Sequence, residues 1–357
     1  ASGIRAQHTV FAVAKGLALV GFDGELQVVT PKATRYLGYE LAAPPIVQAA
    51  GGGQLLIGVG TSFALLDHAL EVASPVIMPL PPAMTAADLQ WLGGSAWLVA
   101  AAKEDGSTSL VLVDVTTGKN TVVRAGLTSM PLVMHEPSTH LVTVSMSNAP
   151  EIDRFVAASH KLEKLVGFPK PKTYEQLELV PVSPKLAGGA QVMRVTMRDR
   201  VTIQWLRDPL DKTGTTMTVE GSFAAADSAG HAYVWRNVAA GSLELAIYSD
   251  GKQIGMLPTH GPVRLWPDAN GARVVELDAH DISLYTLDGK RVWNQPIDLA
   301  NEAVWLDDDA IAIVSAAGIA RLDAKTGAMT AARCGWQFGL STKPHPPGPR
   351  IEPLCAR

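Results

Sequence analysis

One phrase recurs along this chain: an alternating apolar run, a turn built around Asp, and a second alternating run. It reads LALVGFDGELQVV at Leu17–Val29, FALLDHALEVA at Phe63–Ala73 and LVLVDVTTGKNTVV at Leu110–Val123. It returns as LELAIYSDGKQIG at Leu243–Gly255, ISLYTLDGKRVW at Ile282–Trp293 and IARLDAKTGA at Ile319–Ala328. Weaker copies cover Phe155–Leu165 and Val201–Val219. The turn anchors are Asp23, Asp67, Asp114, Ser159, Asp211, Asp250, Asp288 and Asp323, separated by 44, 47, 45, 52, 39, 38 and 35 residues. A period averaging about 43 residues marks a repeat architecture, in which each unit buries its faces against its neighbours.

Period-2 alternation makes these runs strands, and Asp-Gly or Thr-Gly between them closes antiparallel hairpins. Helical periodicity of any length is absent, which excludes an α/β fold. A second element precedes several hairpins: LQWLG at Leu89–Gly93, VRLWP at Val263–Pro267 and AVWLD at Ala303–Asp307. Each sets a Trp in a short strand ahead of its Asp turn, as the opening strand of a four-stranded unit requires.

These repeats resemble the β-propeller superfamily. LDAKTGAM at Leu322–Met329 and VDVTTGKN at Val113–Asn120 are similar to PQQ-type blades. Lys290–Trp293 continues into a Trp after the turn, as that type does; the other copies do not, and the WD40 Gly-His and Trp-Asp pairs are missing. The resemblance implies an all-β propeller and names no specific family. Eight anchors imply eight four-stranded blades. Seven is the alternative, because an irregular insert at Phe168–Ala190 separates the weakest copies. His8–Ala14, Gly16–Phe22 and Glu25–Thr30 read as the second to fourth strands of the first blade. The missing first strand is then expected from Gly335–Ser341, so that the C-terminal strand closes the ring and removes exposed sheet edges. The expected organisation is one propeller domain over 1–341 and a Pro-rich tail over 342–357.

Composition narrows function mostly by exclusion. Of 357 residues, 18% are charged and 47% hydrophobic, which excludes disorder. A net charge of -4 argues against nucleic-acid binding. Leu41–Leu66 carries no charge, but Pro44, Pro45 and Gly51–Gly53 interrupt it, so two strands joined by a glycine turn are expected and not a membrane span. The start at Ala1 fits either a trimmed initiator or a removed leader; an exported chain is expected, with a cytoplasmic one as the alternative. The two cysteines, Cys334 and Cys355, are expected to form a disulfide tying the tail back, worth roughly 3 kcal/mol by loop entropy.

Phosphate loops, nucleophile elbows and zinc-protease helices are absent from the sequence. His135-Glu136 and His140 have the wrong spacing for a zinc pair, and Pro137 breaks any helix. No cofactor or metal is expected. Asp307–Asp309 reads as a solvated turn ahead of a calcium site, lacking EF-hand spacing. Trp91, Trp266, Trp305 and Trp336 read as inter-blade packing, with sugar or small-ligand stacking as the functional alternative. Asp278, His280 and Asp281, with His231 and His260, form the one acid–base candidate group.

Residues 151–215 hold 11 Lys+Arg against 8 Asp+Glu, a local +3 that leaves -7 elsewhere. Within them Arg194 and Arg198 share one strand face, with Arg200 next along and Lys161, Lys164, Lys170 and Lys172 upstream. The expected function is a non-catalytic interaction or assembly scaffold, docking another, acidic protein on this patch. The alternatives are a hydrolase or lyase with its site in the central funnel, and a small-ligand binder.

Overall fold

The computed structural model describes residues 8–334, less short stretches within the connections; β1–β4 and the region 128–149 are described by backbone. It consists of four-stranded antiparallel meanders. The first holds β1 (His8–Ala14), β2 (Leu17–Phe22), β3 (Glu25–Val29) and β4 (Thr34–Glu40), and the second β5 (Ile46–Ala49), β6 (Leu55–Val59), β7 (Ser62–Leu66) and β8 (Val72–Ile77). The third holds β9 (Met84–Gly93), β10 (Ala96–Lys103), β11 (Thr108–Asp114) and β12 (Lys119–Leu127), and the fourth β13 (Leu132–His135), β14 (His140–Met146), β15 (Ala149–Val156) and β16 (Lys161–Gly167). The fifth holds β17 (Gln176–Pro181), β18 (Ala190–Met197), β19 (Val201–Arg207) and β20 (Thr216–Val219), and the sixth β21 (Ser222–Ala226), β22 (His231–Asn237), β23 (Leu243–Ser249) and β24 (Lys252–Leu257). The seventh holds β25 (Arg264–Pro267), β26 (Arg273–Leu277), β27 (Asp281–Thr286) and β28 (Arg291–Pro296), and the last β29 (Ala300–Trp305), β30 (Ala310–Ser315), β31 (Gly318–Asp323) and β32 (Met329–Cys334).

The opening strands of successive sheets lie side by side, β1 by β5, β5 by β9, β9 by β13, β21 by β25 and β25 by β29, and β1 also approaches β29. Sheets therefore pack face to face around their first strands, which is the arrangement of an all-β propeller. Both faces of a sheet are covered, so a middle strand sends alternate residues to opposite neighbours. Val274 joins Tyr233, Leu245 and Ile247 of the sixth sheet, while Val275 joins Ile311, Ile313 and Leu322 of the last. Burial on both faces is what the apolar content serves, and β10 is accordingly buried from Trp97 to Ala101.

The first sheet differs from expectation. Its four strands are consecutive, in the order β1-β2-β3-β4, so His8–Ala14 is the first strand and not the second. Thr34–Glu40 supplies the fourth strand, leaving no vacancy for Gly335–Ser341, which lies outside the described residues. The insert at Phe168–Ala190 contains β17, the opening strand of the fifth sheet. The uncharged stretch forms three strands, β5, β6 and β7, and not the two expected; the turn between β5 and β6 is held by the Ala50 N–H donating to the Gln54 carbonyl at 2.8 Å. Among the described residues no helix is long and apolar enough to cross a membrane.

Candidate functional site

In a four-stranded meander the turn between strands two and three shares one end with the crossovers to neighbouring sheets; the other two turns share the opposite end. In the fifth sheet Gln176 faces Met197 and Val201 faces Val219. The Arg198–Arg200 turn, the incoming segment with Lys170 and Lys172, and outgoing Glu220 therefore meet at one crossover end. Lys170, Lys172, Arg198 and Arg200 are exposed. Arg200 Nη2 donates to Glu220 Oε1 at 2.8 Å, and Glu175 Oε2 accepts the Lys172 N–H at 2.8 Å. Among the described residues this end gathers four cations and two carboxylates. Beside it opens a cleft of about 510 Å³, lined by Arg200, Glu220, Ser222, Trp235 and Asn237.

The other basic residues lie elsewhere. Lys161 pairs with Val156 across a hairpin turn, which puts it at the opposite end of the fourth sheet. Lys164 Nζ is bonded to Glu151 Oε2. Arg194 does share a strand face with Thr196, opposite buried Met193 and Val195. That face is covered: its guanidinium lies 4.9 Å from the Phe168 ring centroid, and burial lowers its pKa.

Among the described residues, the acid–base candidates Asp278, Asp281 and His231 do not converge. Asp278 and Asp281 cap the turn between β26 and β27, the Asp281 N–H donating to Asp278 Oδ1 at 2.8 Å. His231 begins β22 at the opposite end, held by buried Asp227: its Nδ1 is 2.9 Å from Asp227 Oδ2, and its N–H donates to Oδ1 at 2.9 Å. The Tyr233 hydroxyl completes this set by donating to Asp227 Oδ2 at 3.1 Å. Burial and Asp227 push the Tyr233 pKa up, so it stays a donor. Asp268 repeats the arrangement one sheet on, accepting from the Ala272 N–H at 2.7 Å and Arg273 Nε at 3.1 Å. These are turn-holding carboxylates. His260 and His280 lie outside the described residues.

Asp307–Asp309 forms a turn of the same kind. Asp307 accepts the Asp309 N–H at 2.9 Å, Asp308 accepts from Asn270 at 3.2 Å, and Asp309 pairs with Lys325 at 2.8 Å. Among the described residues no group of three or more His, Cys, Asp or Glu is placed to hold a metal. His135 pairs with His140 across a strand turn. Trp91 donates to the Gly94 carbonyl at 3.0 Å, and Trp305 donates to the Trp266 carbonyl at 2.8 Å beneath the Arg273 guanidinium. Trp336, Cys355 and the Cys334 side chain lie outside the described residues.

Two buried carboxylates escape sequence reasoning, because their burial comes from the packing of neighbouring strands and sheets. Asp153, on β15, is 1% exposed; burial, with Glu151 adding to it, pushes its carboxyl up to about 6. Glu151 beside it accepts from Arg124 of the third sheet at 2.7 Å. Glu276, on β26, is pushed up to about 7 by burial, with Asp278 adding to it. Among the described residues, Asp153 Oδ1 and Glu276 Oε2 have no hydrogen-bond partner.

No family model matches the chain, and no curated protein matches it. Solved structures do. The WD40 domain of SCAP from fission yeast is 10% identical with a TM-score of 0.54, over 88% of this chain and 94% of that one. Apo AztD from Citrobacter koseri is 13% identical with a TM-score of 0.54, over 81% and 87%. BamB from Moraxella catarrhalis is 10% identical with a TM-score of 0.52, over 89% and 98%. Identities this low show the shared β-propeller fold alone.

Proposed function

We propose that this chain is a non-catalytic propeller that docks an acidic segment of another protein at the crossover end of its fifth sheet. The observation that carries this is the gathering of exposed Lys170, Lys172, Arg198 and Arg200 beside the cleft that Trp235 helps to line. Exposed cations steer an acidic partner, while a Trp in a neighbouring cleft offers the apolar anchor that binding energy needs. Lys161, Lys164 and Arg194 take no part in this site. The separation of Asp278 and Asp281 from His231 supports a binding role over acid–base chemistry.

In this proposal the sheets form one eight-bladed ring over residues 1–341, with β1 against β29 at the seam. Residues 342–357 form a tail tied back by Cys334–Cys355, and the chain is exported. The docking is tested by affinity capture from the native source with wild type and the K170E/K172E/R198E variant. A stoichiometric acidic partner, eluted by salt and lost in the variant, is expected. A partner retained by the variant, or none at all, overturns the proposal.

A further inference from the structure

The hairpin end carries a second kind of site, visible when two sheet junctions are compared. At the junction of the last two sheets, Trp293 of β28 is paired with Leu284. Its indole fills the crevice: Nε1 donates to the Ala324 carbonyl at 2.9 Å, and the ring lies against Gly327. Gly327 has a φ of 71° and ends the last hairpin turn before β32. Any side chain there would strike the indole.

The junction of the third and fourth sheets has the same framework with both residues changed. Leu112 corresponds to Leu284, and its partner on the outer strand is Thr121, where Leu284 has Trp293. The residue ending the hairpin turn before β16 is His160, where the last sheet has Gly327. His160 holds a φ of 53°, in the left-handed region that glycine fills in the corresponding turns at Gly118, Gly251 and Gly289. The crevice left open here has about 320 Å³, with Leu92, Leu112 and Phe155 as its apolar walls and Lys119, Thr121 and His160 at its mouth. Asp114 also borders it, but its Oδ1 is taken up by the N–H groups of Thr116 and Thr117 at 3.0 and 2.9 Å.

We infer that this vacated indole socket binds a small aromatic acid. The ring takes the place that Trp293 fills at the other junction, and the carboxylate meets Lys119 and His160 at the mouth. The walls supply apolar contact and the two side chains supply donors, the division of labour usual in ligand pockets. A conformation disfavoured for His is retained where its imidazole borders the cavity, as strain at functional positions is. The site lies at the opposite end from the proposed docking surface and stands independently of it.

Calorimetric titration with indole-3-acetate, and with neutral indole as the control, tests this. Saturable binding of the acid, tighter than that of indole, is expected. T121W/H160G, which restores both residues of the Trp293 junction, refills the socket and abolishes binding, with its thermal midpoint confirming that it is folded. K119Q and H160G each weaken binding by about tenfold, the worth of one charge-assisted hydrogen bond. Binding that persists in T121W/H160G overturns the assignment, as does no saturable binding at concentrations up to roughly 10 mM. Equal affinity for acid and indole overturns the role of Lys119 and His160.

Discussion

The indole nitrogen of Trp205 donates to the carbonyl oxygen of Gly230 at 2.8 Å, tying the third strand of the fifth sheet to the first turn of the sixth. Trp205 is 2% exposed. Both Trp293 and Trp305 make a bond of the same kind, indole to a carbonyl of a neighbouring sheet. Indoles thus serve as cross-ties that align one sheet on the next. Replacing Trp205 by Phe keeps much of the apolar volume but leaves the Gly230 carbonyl unpaired. A loss of about 1–3 kcal/mol is expected, measured as a lower urea midpoint. An unchanged midpoint would show that the tie adds nothing.

Gly255 tests how closely the sheets approach. A Cβ at this position would overlap the Leu287 carbonyl of the seventh sheet. The backbone there is extended, so the constraint is space alone. Gly255→Ala forces the two sheets apart and should cost about 1–3 kcal/mol, as overpacking does. Gly106, with open space around it, is the control for losing a glycine at a turn. Chemical denaturation of both variants separates crowding from turn strain.

Asp153 and Glu276 make stability depend on pH. Their carboxyls sit at about 6 and about 7 in the folded chain, against about 4 unfolded. Between pH 4 and 7 the folded state therefore holds protons that the unfolded state has released. Stability falls as pH rises through that window and stays lower above it. Asp153→Asn and Glu276→Gln should each gain roughly 3–4 kcal/mol at pH 8 and nothing at pH 4. Thermal melts across the range read this directly; a gain independent of pH would point to packing instead.

His160 gives a prediction of opposite sign to that for binding. Gly at a φ of 53° relieves a strained backbone, so His160→Gly should stabilise the chain by up to about 1 kcal/mol. A variant that is more stable yet binds the aromatic acid less well separates the role of the imidazole from that of the fold.

The repeat was legible because Asp-Gly or Thr-Gly recurs between the third and fourth strands of several sheets. Asp114, Asp250, Asp288 and Asp323 all lie in third-to-fourth-strand turns of the structure. The first sheet was misassigned by one strand because Thr34–Glu40 was not recognised as its fourth strand. Its pairing with β3 skips a register between Glu25 and Gln27, so the alternation does not carry through. The covering of Arg194 was not legible, since Phe168 comes from the connection between two sheets. The Asp227–His231 pair was within reach, four residues apart on one turn. So was His160, once the turns are set against one another and a glycine is seen to be replaced.

The consecutive order of strands in every sheet bears on how such a chain assembles. No described ladder joins residues from distant parts of the sequence, so each sheet can form before its neighbours exist. Contacts of short sequence separation favour rapid collapse of single units, followed by their stacking. Where β1 meets β29 the two sheets approach without a shared ladder. Growth or loss of one whole sheet during evolution would therefore leave every remaining hydrogen-bonded pairing intact.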